Sequence, residues 1–191
     1  ALRFFVSGGA PLSKKLSYAF WGAGIPILQG YGMTEGCVTS ANRPENNHYN
    51  SIGIPFEGVE VKVAEDGELL IRGKCVMRGY YNKPELTAEV LKDGWYHTGD
   101  IGYAGDDGHF YITDRKKDLF KLSNGKYIAP QQVESLLKQS ALIAQPLVVG
   151  ANRKQVGALI VPDWETFKAV LEENKIDINA SREELCERPE V

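Results

Sequence analysis

The chain has 191 residues, a formal net charge of −3, 43% hydrophobic and 25% charged residues. That balance suits one ordinary globular domain or two small ones and excludes extended disorder, and it offers no basic face for a nucleic acid. No apolar run approaches the ~18 residues that span a bilayer. The opening ALRFFVSGGAPL has no charged start, long apolar centre or cleavage site, so it is not a signal peptide. Cys37, Cys75 and Cys186 are too scattered for a disulfide framework, and His48, His97 and His109 read as isolated, with no zinc-ligand spacing. A reducing cytoplasm is the expected compartment. A chain that starts with Ala rather than Met reads as a piece of a longer one.

In chain order, Arg3 to Val6 predicts a short buried strand and Ser7 to Pro11 a loop. Ser13 predicts a helix cap, with Leu12, Leu16, Ala19 and Phe20 on the inner face of a helix to about Gly22. Ile25 to Gln29 predicts a second strand, running into a turn from Gly30 to Gly36, and the strand–helix–strand order predicts the edge of an α/β layer. Beyond residue 50, Val59 to Val63 alternates with period two, turns at Glu65-Asp66-Gly67 and returns through Glu68 to Arg72 as a hairpin. Pro84 opens a short helix to Leu91, Asp93-Gly94 is a turn, and Ile101 to Tyr103 with His109 to Thr113 flank Gly105 to Gly108 as another hairpin. This segment predicts a small β-rich unit.

From Asp114 the texture changes again. A charged connector to Asp118 precedes a hairpin to Tyr127 and a helix from Pro130, with Val133, Leu136 and Leu137 inward. Strands follow at Leu147 to Gly150 and Val156 to Val161. Asp163 then caps a helix, and Ser181 to Glu184 forms a capping box for another. The reading is mixed α/β: a partial α/β layer (1–50) and a β-rich unit (51–114) of a large domain, a hinge at 115–118, and a small α+β domain over 119–191.

Several segments have residue types suited to chemistry, each with a plainer alternative. Adjacent Gly8 and Gly9 let a flat ligand approach backbone, or merely make a tight turn. Gly30-Tyr31-Gly32-Met33-Thr34-Glu35 offers an aromatic face for a base, a hydroxyl for a phosphate and a carboxylate for Mg²⁺, or is a buried Tyr beside a solvated Glu. Asp100, ending Trp95-Tyr96-His97-Thr98-Gly99-Asp100, can accept both hydroxyls of a ribose, or cap a turn. Ile112-Thr113-Asp114-Arg115-Lys116-Lys117-Asp118 is an interdomain hinge or a solvated charged face. Asn124-Gly125 is a two-residue hairpin signal that needs no function.

Together and in this order, the segments resemble the adenylate-forming superfamily of acyl-CoA synthetases, luciferases and peptide-synthetase adenylation domains. The tract Gly67 to Gly73, Val76 to Tyr81, Trp95 to Asp100, and Asp114 to Leu119 followed by Gly125-Lys126 and Ala129-Pro130-Gln131 is most similar to the long-chain fatty-acid–CoA ligases. The resemblance implies a carboxylate joined to ATP as acyl-AMP and then passed to the thiol of coenzyme A. It implies Gly8, Gly9, Ala10 and Pro11, with Gly30, Tyr31, Gly32 and Met33, at the adenine. Thr34 would meet the α-phosphate, Glu35 the Mg²⁺, and Asp100, Ile112 and Arg115 the ribose region. Lys117 would be the hinge, and Ser123, Gly125 and Lys126 would lie near coenzyme A.

Two family features are missing from these 191 residues: a Gly/Ser/Thr-rich loop followed by Lys, and a late lysine in its C-terminal context. The expectation is therefore a C-terminal-side fragment, inactive alone, of a ligase using fatty acid, ATP and coenzyme A. A fragment of an acyl-AMP-forming enzyme that does not use coenzyme A, and a non-catalytic nucleotide-binding module, are the alternatives. Oligomeric state, chain-length preference and peripheral membrane contact of the parent stay open.

Overall fold

A computed structural model describes residues 3–173 and Leu185. The chain divides into two compact units, Ala1–Leu119 and Phe120–Val191. The helix expected after Ser181, and Cys186, lie outside the described residues.

The first unit opens with β1 (Phe5–Ser7), α1 (Lys14–Gly22) and β2 (Ile27–Met33), and β1 pairs in parallel with β2. Ser13 caps α1 as its composition predicts, its Oγ accepting from the Leu16 N–H at 3.1 Å. Ser13→Ala is therefore expected to cost about 1 kcal/mol, read as a lower urea midpoint of the first unit. The face of α1 differs from the expectation. Leu16 and Phe20 are exposed, and the helix packs instead through Ser17, Tyr18 and Trp21. The Tyr49 ring contacts Tyr18 and Trp21, and the Trp21 indole donates to the Ile27 carbonyl. Among the described residues nothing covers this apolar stripe.

The expected turn at Gly30 is also corrected. β2 runs through Gly30 and Tyr31 to Met33, and only Thr34 to Gly36 turn before β3 (Cys37–Ala41). Gly32 faces the β2–β3 bulge, where a Cβ would sit 2.2 Å from the Cys37 carbonyl oxygen, so the glycine there serves strand packing. β4 (Ile54–Pro55) completes a sheet ordered β1-β2-β3-β4.

The β-rich unit is a five-stranded antiparallel sheet. β5 (Val59–Val63) pairs β6 (Glu68–Gly73), β6 pairs β8 (Trp95–Ala104), and β8 also pairs β7 (Leu91–Lys92) and β9 (Phe110–Arg115). α2 (Pro84–Val90) precedes β7. Leu69, Ile52 and Phe110 make the core, with Tyr31, Val61 and Ile112 packed against it.

One turn device recurs. In the hairpins closing at Ala64/Glu68, Gly105/His109 and Leu122/Lys126, a three-residue loop ends in glycine at φ +83°, +80° and +88°. The Asp66, Asp107 or Asn124 side chain accepts from the backbone N–H two residues on, at 3.0–3.1 Å. This is a turn followed by a glycine bulge, locked by an Asx side chain. It corrects the two-residue reading of Asn124-Gly125, because Asn124 is not at positive φ. Asp93-Gly94, with both residues at positive φ, is the two-residue turn.

The second unit holds β10 (Phe120–Lys121), β11 (Tyr127–Ile128), α3 (Pro130–Leu137), β12 (Ile143–Val149), β13 (Gly157–Pro162) and α4 (Trp164–Glu173). β12 and β13 form an antiparallel pair. The inner stripe of α3 is Val133, Glu134 and Leu137, and Leu136 is exposed, contrary to expectation. The cause is a tertiary contact: Glu134 turns inward to accept the Val148 N–H of β12 at 2.9 Å, which fixes the helix rotation. Asp163 caps α4 through the Thr166 N–H.

Candidate active site

Strand β8 builds the site. Between the pairs Leu70–His97 and Glu68–Ile101 the β6–β8 register shifts, so Thr98, Gly99 and Asp100 bulge out opposite Leu69. The bulge is held from three sides. Thr98 Oγ1 donates to the Leu69 carbonyl (2.7 Å) and accepts from the Asp100 N–H (3.0 Å), and the Gly99 N–H donates to Glu68 Oε1 (2.8 Å). Asp100 is thereby turned into a cleft of about 560 Å³ that also borders Met33, Glu35, Tyr80, Tyr96, Arg115 and Lys117.

Asp100 is 7% exposed. The Tyr31 hydroxyl donates to its Oδ2 at 2.5 Å, and Arg115 Nε lies 3.2 Å from its Oδ1. Arg115 faces Asp100 because the two are register partners across β8 and β9. Burial and the nearby carboxylate push the Tyr31 phenol far above its ordinary value, so it is a permanent donor. Burial, with Glu35 nearby, does the same to Tyr96.

Glu35 sits in the β2–β3 turn, its backbone carbonyl accepting from the Met77 N–H at 2.7 Å. Its Oε1 accepts from the Tyr80 hydroxyl at 2.9 Å, and this bond raises the Tyr80 phenol above its ordinary value. Thr34, beside it, is exposed. A single carboxylate next to a hydroxyl fits Mg²⁺, which binds through one or two carboxylates together with substrate phosphates.

The cleft thus gathers Met33, Glu35, Asp100, Arg115 and Lys117 from the residues singled out in the sequence. Gly8 is beside Gly30, its ideal Cβ position 3.4 Å from the Gly30 carbonyl oxygen, and Gly9, Ala10 and Pro11 are exposed. Ile112 packs on the core, and Ser123, Gly125 and Lys126 are exposed residues of the second unit. Trp95 stands outside the cleft lining, under Lys62 and Arg72 at 4.1 and 4.5 Å.

The sequence reading missed Glu68. It is 4% exposed and accepts from Lys116 Nζ (3.0 Å) and the Gly99 N–H (2.8 Å), with His97 Nδ1 at 3.1 Å. Burial pushes its carboxyl up, but those three partners hold it below the ordinary value. Lys116 also reaches Asp66 at 2.6 Å, and the two carboxylates raise its ammonium. The available signal was a carboxylate opening an otherwise apolar strand, Glu68-Leu69-Leu70-Ile71.

Residues 1–81 match the AMP-binding enzyme family, and residues 117–185 match the AMP-binding enzyme C-terminal domain. The chain belongs to the AMP-binding enzymes. It is 38% identical over 190 residues to a long-chain-fatty-acid–CoA ligase of Mycobacterium bovis, covering 99% of this chain and 32% of that protein. Among solved structures it resembles the O-succinylbenzoate coenzyme A synthetase of Bacillus subtilis in complex with ATP and magnesium ion (TM-score 0.77, 32% identity, 84% of this chain and 37% of that one). It also resembles an amide bond synthetase of Marinactinospora thermotolerans (TM-score 0.72, 29% identity, 94% and 41%). The chain spans about a third of the length of the curated relatives it matches. No helix among the described residues is long and apolar enough to cross a membrane.

Proposed function

We propose that these residues form part of an ATP-dependent fatty-acid–CoA ligase, which makes acyl-AMP and pyrophosphate and then acyl-CoA. The observation that carries this is Asp100. It is a buried carboxylate turned by a strand bulge into a cleft, with Tyr31, Arg115 and Glu35 around it. A carboxylate has about four lone-pair sites. The ribose hydroxyls of ATP take the sites on Asp100 that Tyr31 and Arg115 leave free. The glycine pair after β1, beside Gly30 and Tyr31, gives the base a flat wall without side chains.

Thr34 donates to the α-phosphate, and Glu35 would hold Mg²⁺, which would offset the charge that builds up at that phosphate. Tyr80, kept protonated, fixes the Glu35 carboxylate in place. Lys117 serves as the hinge between the half-reactions, and Ser123, Gly125 and Lys126 approach coenzyme A in the second. The compartment is cytoplasmic. The second reading, favoured by the likeness to an amide bond synthetase, is an enzyme that makes acyl-AMP but passes the acyl group to an acceptor other than coenzyme A.

The full-length protein is expected to give fatty-acid-dependent ATP–pyrophosphate exchange, and an acyl-CoA product only when coenzyme A is added. Exchange without any thioester would select the second reading. Absence of both would remove the adenylation proposal. The 191 residues assayed alone are expected to show no exchange, for want of the phosphate loop and late lysine.

A further inference from the structure

Away from the cleft, at the turn of the β8–β9 hairpin, two of the three histidines that looked isolated in the sequence meet. His48 Nδ1 is 2.6 Å from Asp107 Oδ2, and His109 Nδ1 is 3.5 Å from the same oxygen. The two imidazoles stack with centroids 4.0 Å apart. His109 is fully buried and its Nδ1 makes no hydrogen bond. Its other nitrogen, Nε2, lies 3.4 Å from the Asn46 carbonyl oxygen. A carbonyl can only accept, so Nε2 is the donor there, and Nδ1 is left as a buried ring nitrogen with no hydrogen-bond partner. That nitrogen faces a carboxylate. A buried ring nitrogen without a hydrogen bond, set beside a partly exposed carboxylate and a second imidazole, marks a place for a cation.

We propose that His48, Asp107 and His109 bind a zinc ion. Two imidazoles and one carboxylate are a set that Zn²⁺ takes in open sites, with water as the fourth ligand. The ligand atoms lie within 4.8 Å of one another. Tetrahedral zinc brings its ligands to about 3.4 Å from one another, so closure by up to about 1.4 Å is needed. His48 and Asp107 are partly exposed, on a loop and a turn, and supply that movement. The stacked rings tilt open as both lone pairs turn onto one ion.

A supporting layer already orients the ligands. The Asn46 carbonyl faces His109 Nε2, the His109 backbone N–H donates to Asp107 Oδ1 at 3.0 Å, and the His48 backbone N–H donates to Asn42 Oδ1 at 2.9 Å. Gly105 leaves room for the carboxylate, since a Cβ there would lie 2.7 Å from Asp107 Oδ1. The ion would clamp the segment between β3 and β4 onto the hairpin, next to the bonds that Phe110 makes with Ile52 and Gly53. Its role is structural, and no reaction step depends on it.

The test is titration of the metal-stripped full chain with zinc chloride, without nucleotide, followed by calorimetry and thermal unfolding. One equivalent should bind, and the midpoint should rise by about 5–10 °C at hundredfold excess over the dissociation constant. His48→Ala and Asp107→Asn, both at partly exposed positions, should each weaken zinc binding about 100-fold or more with an unchanged far-ultraviolet spectrum. His109→Gln removes a buried ring, so its loss of binding counts only beside those two variants. No zinc uptake by the unaltered chain, or full binding retained in His48→Ala, would overturn the proposal. So would equal uptake of Mg²⁺, because a hard cation would not need the imidazoles.

Discussion

Asp100→Asn is expected to lower kcat/KM for ATP by about 10³-fold in the full-length enzyme. A hydrogen bond to a charged group contributes roughly 1.5–3 kcal/mol, and the ribose offers two hydroxyls to this carboxylate. The sum is about 3–6 kcal/mol, and each 1.4 kcal/mol is tenfold. Asparagine keeps the shape but presents an NH₂ on one side. There it meets either the Tyr31 hydroxyl or Arg115, which are both donors in the present geometry. Arg115→Ala should cost only about tenfold, because that side chain is 67% exposed and its pairing is screened by water. A second readout separates recognition from general damage. Wild-type enzyme should discriminate against 2′-deoxy-ATP, and Asp100→Asn should lose that discrimination. Kinetics within threefold of wild type for both nucleotides would sink the ribose role.

Much of the architecture is legible because the turns carry their own chemistry. Asp66-Gly67, Asp107-Gly108 and Asn124-Gly125 each combine an Asx acceptor with a residue free to take positive φ, and each became a hairpin. Ser13 and Asp163 announced their helices by the same local logic. The errors came where tertiary partners decide. Gly30 and Gly32 read as a turn because glycine is usually a breaker, yet here they admit the close approach of β3. Leu16, Phe20 and Leu136 read as core because they are apolar. Tyr49 and Val148, distant in sequence, instead set which face of α1 and α3 turns inward.

The site divides the same way. Asp100 and Arg115 lie in separate motifs that the β8–β9 hairpin makes register partners. The pairings of Tyr31 with Asp100 and of His48 with Asp107 span 69 and 59 positions. No local pattern encodes either one. Glu68 was invisible as a functional position because a lone glutamate beginning a strand is ordinarily solvated. Its three partners come from β8 and from the residue after β9.

Glu68 gives the other large effect. The Gly99 N–H that it holds lies in the bulge that turns out Asp100, so Glu68 is a positioning residue for the cleft. Glu68→Gln is expected to destabilise the first unit by about 2 kcal/mol at pH 7, because the new amide leaves Lys116 or His97 facing a donor. The pH dependence follows from the sign of the shift. The folded carboxyl titrates below its unfolded value, so its stabilisation is fully present above roughly pH 4.3. That stabilisation is lost as pH falls through the folded value. The gap in urea midpoint between wild type and Glu68→Gln should therefore be wide at neutral pH and shrink under acid. A gap that is the same at both ends would mean that packing volume, not charge, is what Glu68 supplies. In catalysis the variant should raise KM for ATP about tenfold with kcat less affected, because a loosened bulge misplaces Asp100 without removing it.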